Sequence, residues 1–343
     1  MKVAVTTRPR CVEVGERPAP GPPGPGHTVV RVETVGICGS DLHLYRDELG
    51  DSHLGLLPRI MGHEFSAIVE EVDPGGSGLQ PGDRVAMWPM LPCGVCHTCR
   101  DGRPNVCAKL RIIGVHDDGA LQERFLVPTV NLVATPELSA RQASLIEPVA
   151  VSVHAINRGR VAAGEHVVVL GAGPIGAAAA LAAADRGADV LVLDPVATRR
   201  ELLASWGFAA DWAGDDALPA RIAEHGGSDG PAVIVDTTGR AAVLDTAIAA
   251  VRHGGRVVVV GLTGESAPIH PGVLPLKEID VLGTSCCRLD EFVAAADLVR
   301  RHAATVETLI SHHLPLQHAA EAFRQLDEHP HETVKVLIEV GGE

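Results

Sequence analysis

Four cysteines, Cys93, Cys96, Cys99 and Cys107, stand within fifteen residues in the spacing C-x2-C-x2-C-x7-C, half of the eight in the chain. Thiolates this close, on a stretch that also carries Gly94, Gly102 and Pro104, can converge on one tetrahedral zinc. A C-x-x-C pair can also be a redox couple, but the fourth cysteine favours a closed metal site. A site with four protein ligands and no open position holds a loop in place and does no chemistry of its own. A reaction must then be carried by other residues. Cys38 in GICGSDLH (36–43) and His63 and Glu64 in GHE (62–64) offer a thiolate, an imidazole and a carboxylate, ligand types that zinc takes. Glu147 adds a second carboxylate.

A second constellation would bind a dinucleotide. Gly171-Ala172-Gly173-Pro174-Ile175-Gly176 fits G-x-G-x-x-G, follows an apolar run and opens an Ala-rich one. The first glycine allows a tight turn, the second lets a pyrophosphate approach the backbone, and the third lets helix and strand pack closely. The N–H groups of the helix start would face the phosphate. Asp194 ends the next apolar run and would accept hydrogen bonds from the adenosine ribose, which predicts NAD rather than NADP. Arg199 and Arg200 are the residues that could instead meet a 2′-phosphate. Thr238, in DTTG (236–239), and Gly261 and Leu262 follow later strands, where ligands of such sheets lie, so they are candidate nicotinamide and ribose contacts.

The elements that must position these residues differ between the two parts of the chain. The first 150 residues read as β-rich, with strands over 28–35, 67–72 and 83–88, a Pro/Gly loop over 18–26 and a turn over 75–82. From about Ala150 apolar strands alternate with helical stretches. Strands are expected at 166–170, 189–193, 232–235 and 256–260, with helices at 174–186, 199–206 and 241–250, the pattern of a parallel sheet covered on both faces. The tail carries two helical stretches, 289–302 and 316–326, and a strand at 334–340, and is expected to return to the first domain. A doubly wound α/β domain over 151–286 therefore follows a β-rich domain over 1–150, which 287–343 completes. The net charge of −14 disfavours nucleic acid as a partner. No apolar run is long enough to span a bilayer. MKVAVTTRPR does not read as a secretory leader, so a cytoplasmic protein is expected.

Over essentially its whole length the chain resembles the zinc-dependent medium-chain alcohol dehydrogenases. GICGSDLH, GHE, GDRV, the four-cysteine loop, GAGPIG and HGGRVVVVGL carry the resemblance, and IGVHDDGALQERFLVP and LIEPVAVSVHA point to the branch acting on polyols and sugar acids. The resemblance implies a GroES-like catalytic domain joined to a Rossmann domain, with one catalytic and one structural zinc. It implies that Cys38 and His63 bind the catalytic zinc and that Glu64 and Glu147 both compete for the remaining position. Glu147-Pro148 stands where relatives outside this branch place a second cysteine ligand. Asp41 would orient His63. Ser40 would take the hydroxyl proton, and His43 would pass it on through the cofactor ribose. The implied reaction is oxidation of a secondary hydroxyl in a polyol, sugar acid or cyclitol, with hydride transfer to NAD. A simple diol or an amino alcohol such as threonine is the alternative substrate, and a non-catalytic NAD-binding zinc protein the remote one. Tyr45, Trp88, Arg111, His116 and Arg288 could meet substrate. A homo-oligomer, dimer or tetramer, is implied as well, with the strand 256–260 a place where a sheet could extend across subunits.

Overall fold

The structure, a computed structural model, describes residues 1–48, 56–73, 78–212, 214–264, 266–267 and 269–341. The turn expected over 75–82 therefore lies partly outside the described residues. The chain divides into two compact units, one of residues 1–150 with 288–343 and one of 151–287.

In the first unit a seven-stranded sheet runs in the order Ile310–Pro315, Lys335–Glu339, His27–Gly36, Glu64–Val72, Arg84–Met87 and Leu132–Ala134, and Arg124–Pro128 also pairs with His27–Gly36. Its inner residues, among them Val30, Val32, Val35, Phe65, Ala67 and Val85, are fully buried. Burying such a side chain contributes on the order of 1.5–3 kcal/mol, less for Ala. With few aromatics available, stacking is limited to contacts such as Tyr45 on Phe323, whose ring centroids are 5.3 Å apart. The register places the site. Gly36 pairs with Glu64 on one side and with Leu337 on the other. Two strand ends, a third strand and the start of helix Gly39–Arg46 thus meet at one point. Gly36 must lack a side chain, because a Cβ there would collide with the Glu64 carboxylate.

In the second unit six strands are all parallel, in the order Ala209–Asp211, Asp189–Leu193, His166–Leu170, Val233–Asp236, Arg256–Val259 and Asp280–Gly283. The chain starts at the centre, winds outward to one edge, returns and winds to the other, as in dinucleotide-binding sheets. The central strands are continuous runs of buried Val and Leu. Helix Pro174–Asp185 buries Ala177, Ala178, Ala179 and Ala180 and so can lie close on the sheet. The strand at Arg256–Val259 is flanked on both sides and has no free edge for a partner. The free edge among the described residues of that side belongs to Asp280–Gly283, too short a run to stand out in sequence. No helix of the described residues is long and apolar enough to cross a membrane.

Candidate active site

The loop after strand His27–Gly36 carries Cys38, whose N–H is bonded to Asp41 Oδ2 at 2.9 Å in a cap that fixes the start of helix Gly39–Arg46. Cys38, His63 and Glu64 each offer a donor atom within 4.8 Å of the other two. His63 and Glu64 are almost fully buried. His63 Nδ1 lies 3.5 Å from Asp41 Oδ1, and Ser40 Oγ lies 3.4 Å from His63 Nε2. A carboxylate behind one nitrogen of a histidine is the arrangement that orients metal-binding imidazoles. Burial alone would pull the His63 pKa down, but the Asp41 carboxylate and Cys38 outweigh it and hold it well above the usual value.

Lys335 completes the pocket. Its Nζ donates to Glu64 Oε2 at 2.6 Å and to the Ile37 carbonyl at 3.1 Å, and both charged side chains are buried. Burial works against the Lys335 charge, but Glu64 and then Cys38 overcome it and keep its pKa above the usual value. The pair leaves Glu64 Oε1 buried without a hydrogen-bond partner among the described residues. A carboxylate with one oxygen anchored and the other bare, beside a cysteine and a histidine, fits a zinc ion. Glu147, in the first turn of helix Ile146–Arg158, is buried but does not join this donor group. Burial, with Glu64 adding to it, pushes the Glu147 carboxyl up to about 7. Of the two carboxylates the sequence offers, Glu64 is the one that shares the donor group with Cys38 and His63. Nothing near Lys335 in the sequence marks it, since 271 residues separate it from Glu64.

The four cysteines of the loop form a second donor group. Cys96 Sγ lies 3.4 Å from Cys99 Sγ and 3.7 Å from Cys107 Sγ, and all the thiols are free. Sulfurs bound to one tetrahedral zinc sit about 3.8 Å apart, far beyond a disulfide bond, so the cluster fits the ion. The hydroxyl of Thr98 and nearby backbone N–H groups lower Cys96 to about 5, while burial and its sulfur neighbours push Cys99 up to about 12. Thiols crowded in this way cannot all ionise without a cation among them.

At the carboxyl ends of the parallel strands the glycine-rich turn has the expected division of labour. Gly171 has φ of +97°, and a Cβ on Gly176 would run into the Gly171 carbonyl. A Cβ on Gly173 would meet nothing within 4 Å, which leaves space for a phosphate. Pro174 and Ile175 form the first turn of the helix behind it. Asp194 is buried, and its two oxygens accept the N–H groups of Ala172 at 2.6 Å and Val196 at 2.7 Å. Arg199 lies 4.0 Å from its carboxylate, and Arg200 caps the strand end through the carbonyls of Asp194 and Pro195. Thr238 bonds to the Asp236 carboxylate at 2.7 Å, its loop touches Gly261 so closely that neither Gly239 nor Gly261 tolerates a side chain, and Leu262 is 65% exposed.

The remaining expected residues have these surroundings. His43 Nδ1 is bonded to Glu48 Oε2 at 2.9 Å and the ring is partly exposed. Tyr45 and Trp88 are buried, Arg111 is paired with Asp117 at the surface, His116 Nδ1 accepts the Ile112 N–H, and Arg288 caps helix Leu289–Arg301.

Comparison with known proteins gives the family. Residues 24–137 match the alcohol dehydrogenase GroES-like domain and residues 174–301 the zinc-binding dehydrogenase family. The chain is 32% identical to L-galactonate-5-dehydrogenase of Escherichia coli (strain K12) over 340 residues, 98% of each chain. It is 33% identical to sorbitol dehydrogenase of Homo sapiens over 309 residues, 88% of this chain and 86% of that one. Among solved structures it is similar to a short chain alcohol dehydrogenase (rspB) of E. coli CFT073 complexed with NADH, with a TM-score of 0.90 and 29% identity over 99% of both chains.

Proposed function

The chain belongs to the zinc-dependent medium-chain alcohol dehydrogenases, in the branch of the polyol enzymes, and from that premise we propose that it oxidises a secondary hydroxyl of a sugar acid or polyol to the ketone with NAD as acceptor. The observation that carries the reading is the convergence of Cys38, His63 and Glu64 on one point, with Glu64 Oε1 left bare. Zinc held there supplies a Lewis acid for the substrate hydroxyl, and NAD supplies the hydride acceptor. Cys38, His63 and Glu64 are the ligands of this proposal. Lys335 holds the other oxygen of Glu64, and Asp41 steadies the His63 ring. Glu147 is a second carboxylate beside the pocket, its pKa raised to about 7 chiefly by burial, with Glu64 adding to it.

Ser40, next to His63, takes the hydroxyl proton. His43 follows three residues later on the same helix, on the neighbouring turn, and its bond to Glu48 leads the proton toward solvent. The dinucleotide would lie over Gly171, Gly173 and Gly176, with its ribose near Asp194 and Arg199 and its nicotinamide half near Thr238, Gly261 and Leu262. The buried Asp194 carboxylate supports NAD over NADP. The four cysteines would hold a structural zinc.

A cytoplasmic homo-oligomer, dimer or tetramer, belongs to the same proposal. The edge strand Asp280–Gly283 with exposed Val281 is a surface another strand could pair with. The test is an NAD-reduction screen over sugar acids, polyols, cyclitols, simple diols and threonine. Turnover highest on a sugar acid or polyol is expected. Turnover confined to simple diols or threonine would overturn the substrate class, and none on any hydroxyl would leave a binding protein.

A further inference from the structure

Apart from the two donor groups above, the described residues hold one more cluster of metal-binding type, and it belongs to neither. His166 and Asp189 open neighbouring strands and pair directly in register, and His225 is the last residue of helix Leu218–His225. His166 Nδ1 lies 2.9 Å from Asp189 Oδ2. His225 Nε2 reaches the Asp189 carbonyl at 3.1 Å. The two imidazoles meet edge to face with centroids 5.3 Å apart, and one donor atom from each of the three residues lies within 4.8 Å of the others.

We propose that His166, Asp189 and His225 form a third metal site, for a borderline divalent cation such as zinc or nickel, at the amino-terminal ends of the parallel strands. Two imidazoles and a carboxylate are a ligand set such ions favour over calcium or magnesium. Ligands about 2.0–2.1 Å from one ion are separated by roughly 2.9–3.4 Å, so the His166–Asp189 spacing is already that of a coordination edge. The backbone holds that edge in place, since the N–H of Asp189 is bonded to the Glu165 carbonyl at 2.9 Å and that of Gly164 to the Gly187 carbonyl at 2.8 Å. Only His225 must turn, exchanging its carbonyl bond for the ion. The side chains of His166 and Asp189 are 46% and 62% exposed, so an ion can enter and keep water in its open positions. The site shares no residue with the glycine-rich turn, which lies at the other ends of the same strands, about 15 Å away along a five-residue strand. An ion there would tie two strand starts to a helix end and stabilise the unit by mass action, without entering the reaction.

The test uses the full-length protein with whatever zinc it retains after desalting, and nickel ion as the probe. Metal per chain is counted by equilibrium dialysis, and thermal unfolding is followed across nickel concentrations. One nickel per chain in addition to the retained zinc is expected, with an unfolding temperature that rises with nickel. His166→Gln and His225→Gln, both at the surface, should each weaken nickel binding by more than about a hundredfold, beyond the roughly ten- to hundredfold that loss of a supporting partner costs. They should abolish the thermal rise, with zinc content and NADH affinity unchanged. No nickel uptake by the unaltered protein, or equal uptake by the two variants through other histidines, overturns the proposal and leaves a hydrogen-bonded cluster only.

Discussion

A buried carboxylate is stable as an anion only with a partner, and Glu64 has one in Lys335, 2.6 Å away with both side chains under 5% exposed. Removing one member strands the other charge, which costs about 3–5 kcal/mol. Lys335→Met should therefore lose stability of that order in urea unfolding, and Lys335→Met with Glu64→Gln should lose clearly less than the sum of the two single changes. A loss below about 1 kcal/mol would mean that the pair does not hold the pocket. Glu147 gives a pH signature. Burial raises its carboxyl from 4.5 to about 7 in the fold. Between those values the folded form binds the proton that the unfolded chain releases, so stability present at low pH is lost as the pH rises through this window. In chelated protein, stability should fall from about pH 4.5 to 7, and Glu147→Gln should remove that part of the slope. An identical slope in the variant would place the titration elsewhere. That Cys38, His63 and Glu64 belong together was legible in sequence, because their types and flanking glycines suit a common donor group. Lys335 was not, because an ordinary lysine in an apolar strand gains its meaning only when the tail pairs with His27–Gly36.

At the scale of elements the glycine-rich turn separates packing from binding. Gly176→Ala forces a methyl into the Gly171 carbonyl, and overpacking of this kind costs about 1–3 kcal/mol. Gly173→Ala meets no neighbour, so it should leave the unfolding temperature unchanged and weaken NADH binding, because its methyl stands where the pyrophosphate would approach. NADH titration by fluorescence beside thermal unfolding checks both, and unchanged NADH affinity in Gly173→Ala would move the cofactor off this turn. The long apolar strands and the Ala-rich helices of this unit could be read from their runs and flanking glycines. The strands Ala209–Asp211 and Asp280–Gly283 could not, being short, partly exposed and defined by the neighbours they pair with. Helix Leu218–His225 also escaped, because Pro219 stands in its first turn and reads as a breaker unless the helix start is already known.

At the scale of the molecule, one chain builds two units with different rules: a mostly antiparallel sheet that brings Cys38, His63, Glu64 and Lys335 together, and a parallel sheet with a glycine-rich turn at its strand ends. The change of texture near residue 150 marks the first boundary in the sequence. The place of the tail is written less plainly, since only its pairing with His27–Gly36 shows why the first unit needs it. The acidic surface, with a net charge of −14, suits a small uncharged or metal-guided substrate better than a polyanion. The central claim is a reactive zinc at Cys38, His63 and Glu64 distinct from the ion of the four-cysteine loop. Zinc per chain after desalting, measured on the unaltered protein and on Cys38→Ser and Cys96→Ser beside NAD-linked turnover, tests it most directly. Two zincs in the unaltered protein are expected, one in Cys38→Ser with turnover abolished, and one in Cys96→Ser with a lowered unfolding temperature. Full zinc content and full turnover in Cys38→Ser would contradict it.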